Sequence, residues 1–388
     1  MSRFADTYGF ARAEAGLNNW RERPYSAWAF QNVGDVLECE AIAAGVAGPA
    51  IIEAPSDDLL CQNFGSGTIE SFLARSSTES FLVSKAGQLV LEWHAGHAVP
   101  ENPHIVFSVS KSITALIAGI LQDRGLLDPG QTVAHYMPEA VGSGYADCPL
   151  QHLLDMRVSL AFTEDYLDTT GDFARYRRAT GWNPAEPGQA AEGLASFLFS
   201  LAKGDEPHGG DFRYLSPNSD LLGLILERVF GKRFADLVSE LLWQPLGAST
   251  DALIAMDGHG APRAAGGICV TARDLLRLGH LILNGGTVGA TQIVSESWLA
   301  DMRNNGDPDA WAHGDFAAFM GPGRYRNKWY QLGPDSRQVV AIGIHGQWLF
   351  IDPKTEVVIV KLSSQPTPLD EALELQCLEL YGQISAMI

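Results

Sequence analysis

The sequence predicts an α+β protein whose sheet is assembled from both chain ends around a helical insertion. Three observations predict it: an alternating strand pair near residues 81–94, helical periodicity through the middle, and long apolar strand runs returning after residue 338. A length of 388 residues agrees, since it exceeds one ordinary core and suggests two packed subregions.

The elements follow in chain order. The first 75 residues are mixed, with loop signals at 45–49 and 66–68. A hairpin comes next: FLVS at 81–84, a KAGQ turn, then LVLEWH at 89–94. Ile113, Leu116, Ile117, Ile120 and Leu121 then fall on one helical face. No charge interrupts Lys111 to Asp123, so that helix is expected to be buried nearly all round, and Gly125 ends it. Residues 150–260 read as helical with long loops. LLGLILERVF and ADLVSELLWQPL are amphipathic there, while 165–190 is polar and loop-like. TARDLLRLGHLILNGG is a helix with Thr271 at its N-cap and a closing glycine pair. QVVAIGIHGQWLF and EVVIVKLSS read as strands around a DPKT turn, and a last helix carries Leu373, Cys377, Leu380, Tyr381 and Ile384 on one face.

Composition bounds the function. Apolar residues make up 46%, enough for a sizeable core. No apolar run reaches the roughly 18–20 residues of a membrane helix, so no membrane partner is expected. The opening MSRFADTYGFARAEAGLNNW has no apolar signal core, and the expected location is cytoplasmic. Five cysteines, odd in number and without a C-x-x-C pair, fit buried free thiols better than disulfides or zinc. A net charge of -19 without a Lys/Arg run argues against nucleic acid, although Arg175, Arg177 and Arg178 cluster; the acidic balance leaves a cationic substrate open.

Three elements carry candidate chemistry. In Ser108-Val-Ser-Lys111 the serine and lysine share one helix face, so the amine reaches the hydroxyl. A lysine without a carboxylate partner in an apolar setting loses its proton readily and acts as a base. The helix N-terminus adds free N–H groups for an oxyanion. The alternative is a capping serine with a surface lysine, which the uncharged turns that follow argue against. A second match, Ser200 to Lys203, precedes a glycine-rich loop and reads as solvated. In Tyr214-Leu-Ser216 a phenol placed before a helix start can relay a proton; the alternative is a core tyrosine with a capping serine. Tyr325-Arg-Asn327 fits the same pattern, but its neighbours read as an exposed loop. The strand Ala341 to Gln347 contains Gly343, which lets substrate approach the backbone, and the next N–H can complete an oxyanion hole; the alternative is a plain core strand. There is no G-x-S-x-G, H-E-x-x-H or phosphate-binding glycine loop, and His94-Ala-Gly-His97 has the wrong spacing for one helical metal face. A Ser-His-Asp triad stays open, with 10 histidines available.

These elements, as FSVSKSIT, YLSPNSD and the strand after residue 338, resemble the serine β-lactamase/D,D-peptidase superfamily in its class C-like branch. GLLDPGQTVAHYMPE, LLDMRVSL and TARDLLRLGHLILNGG are similar as well. Within the branch, NNWRERPYSAWAFQNVGDVL, FTEDYLD, ATGWNP and IGIHGQWLFIDPKTEVVIVKLSS look closest to 6-aminohexanoate-oligomer hydrolases and related carboxylesterases. The resemblance implies a β-lactamase/transpeptidase-like fold: an α/β domain of antiparallel strands and flanking helices from residues 1–145 and 262–388, an all-α domain from 146–261, and an active site between them. It implies Ser108 as acylated nucleophile, Lys111 as general base, Tyr214 as proton shuttle, and the backbone N–H groups of Ser108 and Ile344 as oxyanion hole.

The third motif has two registers, Ala341-Ile342-Gly343, which is preferred, and His345-Gly346-Gln347. In the preferred register the cationic side chain of β-lactamases is lost, and Ser216 stands where they commonly carry Asn. The expected reaction is acyl transfer to Ser108 and hydrolysis by water, on small carboxylic esters or linear amides. Tyr166, Trp182, Trp329 and His345 are expected to line the pocket, and Asp165 or Asp168 to hold a substrate ammonium. No metal or cofactor is implied, a small molecule is the expected partner, and a homodimer is left open. The alternatives are a β-lactamase or D,D-peptidase and an inactive binding module on the same fold.

Overall fold

The computed structural model describes residues 3–333 and 338–388. An eight-stranded sheet forms its frame. In chain order its strands, with those of a second sheet, are β1 (Cys39–Ile42), β2 (Ile52–Glu53), β3 (Thr78–Lys85), β4 (Gln88–His94), β5 (His104–Ile105), β6 (Ala252–Ala255), β7 (Ile268–Val270), β8 (Gly323–Arg326), β9 (Trp329–Leu332), β10 (Val339–Gly343), β11 (Gln347–Asp352) and β12 (Val357–Ser363). The large sheet runs β8-β9-β10-β11-β12-β3-β4-β2, so both chain ends do build it. All its pairings are antiparallel except β2 with β4.

Alternation explains how both faces are covered. Leu82, Leu349, Val358 and Val360 join one core with the helix Ala272–Leu283, whereas Phe81, Phe350, Val357 and Ile359 join another with Cys377, Leu380, Tyr381 and Ile384 of the last helix, Glu371–Met387. Strands β11 and β12 are therefore buried at every position, and each carries a continuous apolar run, 348–351 and 357–360. The sheet–helix gap is tight: a Cβ on Gly279 would lie 2.4 Å from Val358 Cγ1.

The helices between the strands are α1 (Val109–Asp123), α2 (Asp172–Ala179), α3 (Leu194–Ser200) and α4 (Pro217–Phe230). Helix α1 is buried from Val109 to Leu121, as its uncharged sequence requires, and packs on α4. The overall architecture is the α+β fold anticipated above.

Several local expectations are corrected. Residues 252–255 lie in the segment expected to be all-helical but form β6, in a second sheet ordered β1-β6-β7-β5. The 165–190 loop contains α2. The stretch from 338 to 350 is two strands, because His345 and Gly346 both take left-handed conformations (φ 61° and 86°) and reverse the chain between Gly343 and Gln347. Tyr325, Asn327 and Lys328, read as exposed, are buried and Arg326 is half-buried; Asp155 accepts from the Asn327 N–H at 3.1 Å and pairs with Arg326. The five cysteines are free, with Cys148, Cys269 and Cys377 buried but Cys61 exposed. Among the described residues no helix is long and apolar enough to cross a membrane.

The tight sheet–helix contact is testable. Gly279→Ala forces its methyl against the branched Val358 side chain, which should cost about 1–3 kcal/mol. Thermal denaturation should show a lowered Tm, and an unchanged Tm would contradict this packing.

Candidate active site

Two sheets and two helices converge on Ser108. Strand β5 pairs with β7, and the Val106 N–H donates to Ile268 O at 3.0 Å, so the chain enters α1 alongside residues 263–267. From the other side β10 presses close: a Cβ on Gly343 would lie 2.4 Å from Val106 O. Gly343 therefore admits the nucleophile's own segment, a second reason for glycine beside the one given above. Phe107, just before Ser108, holds a left-handed φ of 42°. Its ring is fixed by Trp20, Phe30, Trp182 and His345, with centroids 4.9–6.2 Å away. Strain of this kind persists only where surroundings over-determine it.

Ser108 caps α1, and Lys111 one turn on is 1% exposed. The Lys111 amine donates to Ser108 Oγ at 2.8 Å and to Ala265 O at 2.7 Å. Burial pushes its pKa down to about 7; Arg263 acts in the same direction, and Glu164 and Asp220 oppose. Tyr214 brings its ring to 5.0 Å from the Lys111 amine, and its hydroxyl meets those of Ser108 and Tyr330. Burial, reinforced by Glu164, holds that phenol well above its ordinary value. Asp315 accepts from the Tyr214 N–H at 2.7 Å, which fixes the strand-like approach to α4.

Below these groups lies a buried polar support. Asp220, one turn into α4, pairs with Arg263, accepts from the Tyr176 hydroxyl, and accepts from the Ala265 N–H at 2.7 Å. Arg263 also donates to the Tyr176 hydroxyl at 2.7 Å. The Ala265 carbonyl that receives Lys111 is thus held through its own N–H. Ser216 turns its hydroxyl to Glu164 at 2.6 Å, its N–H reaches the same carboxylate, and Tyr166 donates to it at 2.9 Å.

Ser108 opens onto two spaces. One cavity, of about 280 Å³, is lined by Phe107, Lys111, Glu164, Tyr166, Trp182 and His345, among others. The second is a narrow apolar slot of about 40 Å³ with Tyr214, Phe316, Phe319, Met320, Tyr330 and Gly343 on its walls. Ile344 lines both, directly after β10, which favours the Ala341–Gly343 register. His345 donates from Nδ1 to Gln365 O at 2.7 Å, leaving Nε2 unprotonated, and burial pushes its pKa down to about 4.

Of the residues expected from sequence, Ser108, Lys111, Tyr214, Ile344, Tyr166, Trp182 and His345 come together here. Trp329 does not: it is fully buried in the core, and its neighbour Tyr330 faces the slot. Adjacent strand residues point to opposite faces, so an offset of one exchanges core for site. Asp165 and Asp168 are also misplaced. Asp165 accepts from the Leu167 N–H at 2.8 Å, and Asp168 accepts from the N–H groups of Thr170, Gly171 and Phe173. Both shape their own loop, and the acids on the cavity wall are Glu164 and Glu22. Glu164, Asp220, Arg263 and Tyr330 escaped the sequence reading. Asp220 alone left a signal, as the one charge between Pro217 and Leu226 of α4.

Comparison with known proteins shows the family and the fold. A family model described as Beta-lactamase matches residues 68–378. The 6-aminohexanoate-dimer hydrolase of Paenarthrobacter ureafaciens is 36% identical over 360 residues, covering 93% of this chain and 91% of that one. A solved Bacillus anthracis structure, provisionally named 6-aminohexanoate-dimer hydrolase, superposes with a TM-score of 0.87 at 25% identity over 97% of both chains. A family VIII carboxylesterase shares the fold, with a TM-score of 0.60 at 17% identity over 89% of this chain and all of the other.

The support beneath Lys111 makes a prediction. Asp220→Ala leaves Arg263 buried without its anion and should destabilise the protein by about 3–5 kcal/mol. Asp147→Ala, which removes the exposed partner of Lys203, should cost less than about 1 kcal/mol. Urea denaturation of both variants measures the contrast; equal losses would refute a structural role for the buried pair. By motif, geometry and resemblance, the chain belongs to the Beta-lactamase family and is a serine hydrolase.

Proposed function

We propose that Ser108 is the nucleophile of an acyl-enzyme hydrolase acting on small carboxylic esters and linear amides, as the name of its Paenarthrobacter relative suggests. The observation that carries this is the 2.8 Å bond from a buried lysine amine to Ser108 Oγ, with no carboxylate ion-paired to that amine among the described residues. A neutral Lys111 takes the hydroxyl proton as Oγ attacks the carbonyl carbon. The oxyanion that forms is stabilised by the N–H groups of Ser108 and Ile344. Tyr214 passes its proton to the leaving oxygen or nitrogen and is reprotonated by the Lys111 ammonium, the carbon–heteroatom bond breaks, and Oγ is left acylated with Lys111 neutral again. Water then attacks the ester, gives its proton back through the same pair, and frees the acid and Ser108.

Esters and linear amides fit better than β-lactams. A buried Ala341 stands where the third motif of β-lactamases commonly carries its cation, so the cations of this cavity, Arg21 and Arg177, come from other segments than the strand that meets a β-lactam carboxylate in those enzymes. Five unpaired thiols support a reducing, cytoplasmic setting.

Three measurements test the proposal. Wild type should hydrolyse a p-nitrophenyl acyl ester, and Ser108→Ala should lose at least about 10³-fold. The linear 6-aminohexanoate dimer, assayed alongside, separates amide from ester cleavage. Because Lys111 must be neutral to act and titrates near 7, kcat/KM should rise with pH through about 7 and level off above it. A profile flat from pH 5 to 9 would exclude Lys111 as the base. Tyr214→Phe should slow a p-nitroanilide by about 10²-fold or more, and the matching p-nitrophenyl ester far less, since only the amine leaving group demands a proton.

A further inference from the structure

The larger cavity carries more positive charge than acyl transfer requires. Arg21, Arg177 and Arg263 all line it with Ser108. Arg263 is committed to Asp220. Arg175 and Arg178, the neighbours of Arg177 on α2, pair with Glu192 and Glu186. Arg21 and Arg177 form no ion pair among the described residues, and the polar contact of each is neutral. Arg177 Nη2 donates to Tyr166 O at 2.8 Å, and Arg21 Nη2 donates to the Asn183 side-chain oxygen. Each guanidinium has five N–H donors, so most stay free. Both are held in place by rings: Arg21 lies over Trp20 and Trp182 at 5.1 and 5.7 Å, and Arg177 over Phe173 at 4.6 Å. The acids on the cavity wall act on them only through space and form no ion pair with them, since Glu164 is taken by Ser216 and Tyr166, and Glu22 is exposed. Burial and repulsion from Arg177 and Arg263 press Arg21 down to about 9.

We infer that Arg21 and Arg177 form a carboxylate subsite for the acyl half of the substrate. A carboxylate there gains paired, charge-assisted hydrogen bonds and relieves the repulsion between the two cations. The acyl half is assigned to this cavity because Tyr214, which protonates the leaving group, lines the other space, the apolar slot. The favoured substrates are esters or amides of dicarboxylic half-acids. An acyl chain ending in ammonium, such as that of a 6-aminohexanoate dimer, meets two guanidinium groups and is disfavoured. This rests on the reading of Ser108 given above.

Three p-nitrophenyl esters of equal acyl length test it: hexanoate, the adipate half-ester and 6-aminohexanoate. Wild type should rank them adipate, hexanoate, 6-aminohexanoate in kcat/KM, with at least about tenfold between first and last. Arg21→Gln and Arg177→Gln should each shrink the adipate-to-hexanoate ratio, with folding checked by circular dichroism and by labelling of Ser108 with a fluorophosphonate. Free adipate should also inhibit wild type more strongly than hexanoate, a readout that needs no variant. Turnover of hexanoate without preference for adipate, or a ratio unmoved in both variants, overturns the subsite alone. No turnover of any ester, or activity surviving in Ser108→Ala, overturns the hydrolase reading and the subsite with it.

Discussion

An ammonium group buried without a counter-ion is among the least stable arrangements a protein can hold, and Lys111 is placed so that it need not be one. Its amine is satisfied by one hydroxyl and one carbonyl, at 2.8 and 2.7 Å, and by no carboxylate among the described residues. The surroundings keep that balance. Asp220 is close enough to matter but is spent on Arg263, Tyr176 and the Ala265 N–H. Glu164 is spent on Ser216 and Tyr166. Two acids therefore stand near the lysine while neither touches it, and the base stays available near neutral pH. The same Asp220 bond to Ala265 aims the carbonyl that holds the amine. Charge compensation and positioning are thus one network.

The nucleophile depends equally on the N-terminal segment. Trp20 and Phe30, together with Trp182, cage Phe107 in a backbone conformation that a bulky residue rarely adopts. Phe107 in turn sets the angle at which Ser108 enters α1. A segment read from the sequence only as mixed is the brace behind the active-site serine.

What was legible in the sequence was local. The Ser108–Lys111 spacing, the uncharged α1, the tyrosine before α4 and the alternating strands are all written within a few consecutive residues, where helix and strand periods act directly. What was missed depends on partners far along the chain or on register. Trp329 and Tyr330 differ by one position, and only the pairing of β9 with β8 and β10 decides which faces the slot. The reversal at His345 and Gly346 lacks the Asn-Gly or Asp-Gly signature; it is held instead by contacts with Pro368 and Gln365, about 20 residues on. Glu164, Arg21 and Arg177 lie on separate loops and helices, and no spacing rule links them to Ser108. The resemblance supplied the fold and the three principal side chains but not the charges around them.

The central ladder of the large sheet sets residue 85 against residue 357, β3 on β12. Closing so distant a contact is slow, because the loop entropy is lost before the pairing is gained. During synthesis β3 and β4 emerge early with an apolar edge that only the last strands can cover. A chain ending before β12 would leave that edge open to other chains, as well as stripping the site of Ile344's neighbours. The active site is therefore complete only once β12 and the segment after it, which brings Pro366 and Pro368 to the cavity, are in place. Loss of β12 would thus cost the sheet and the pocket together, leaving the edge of β3 open to other chains.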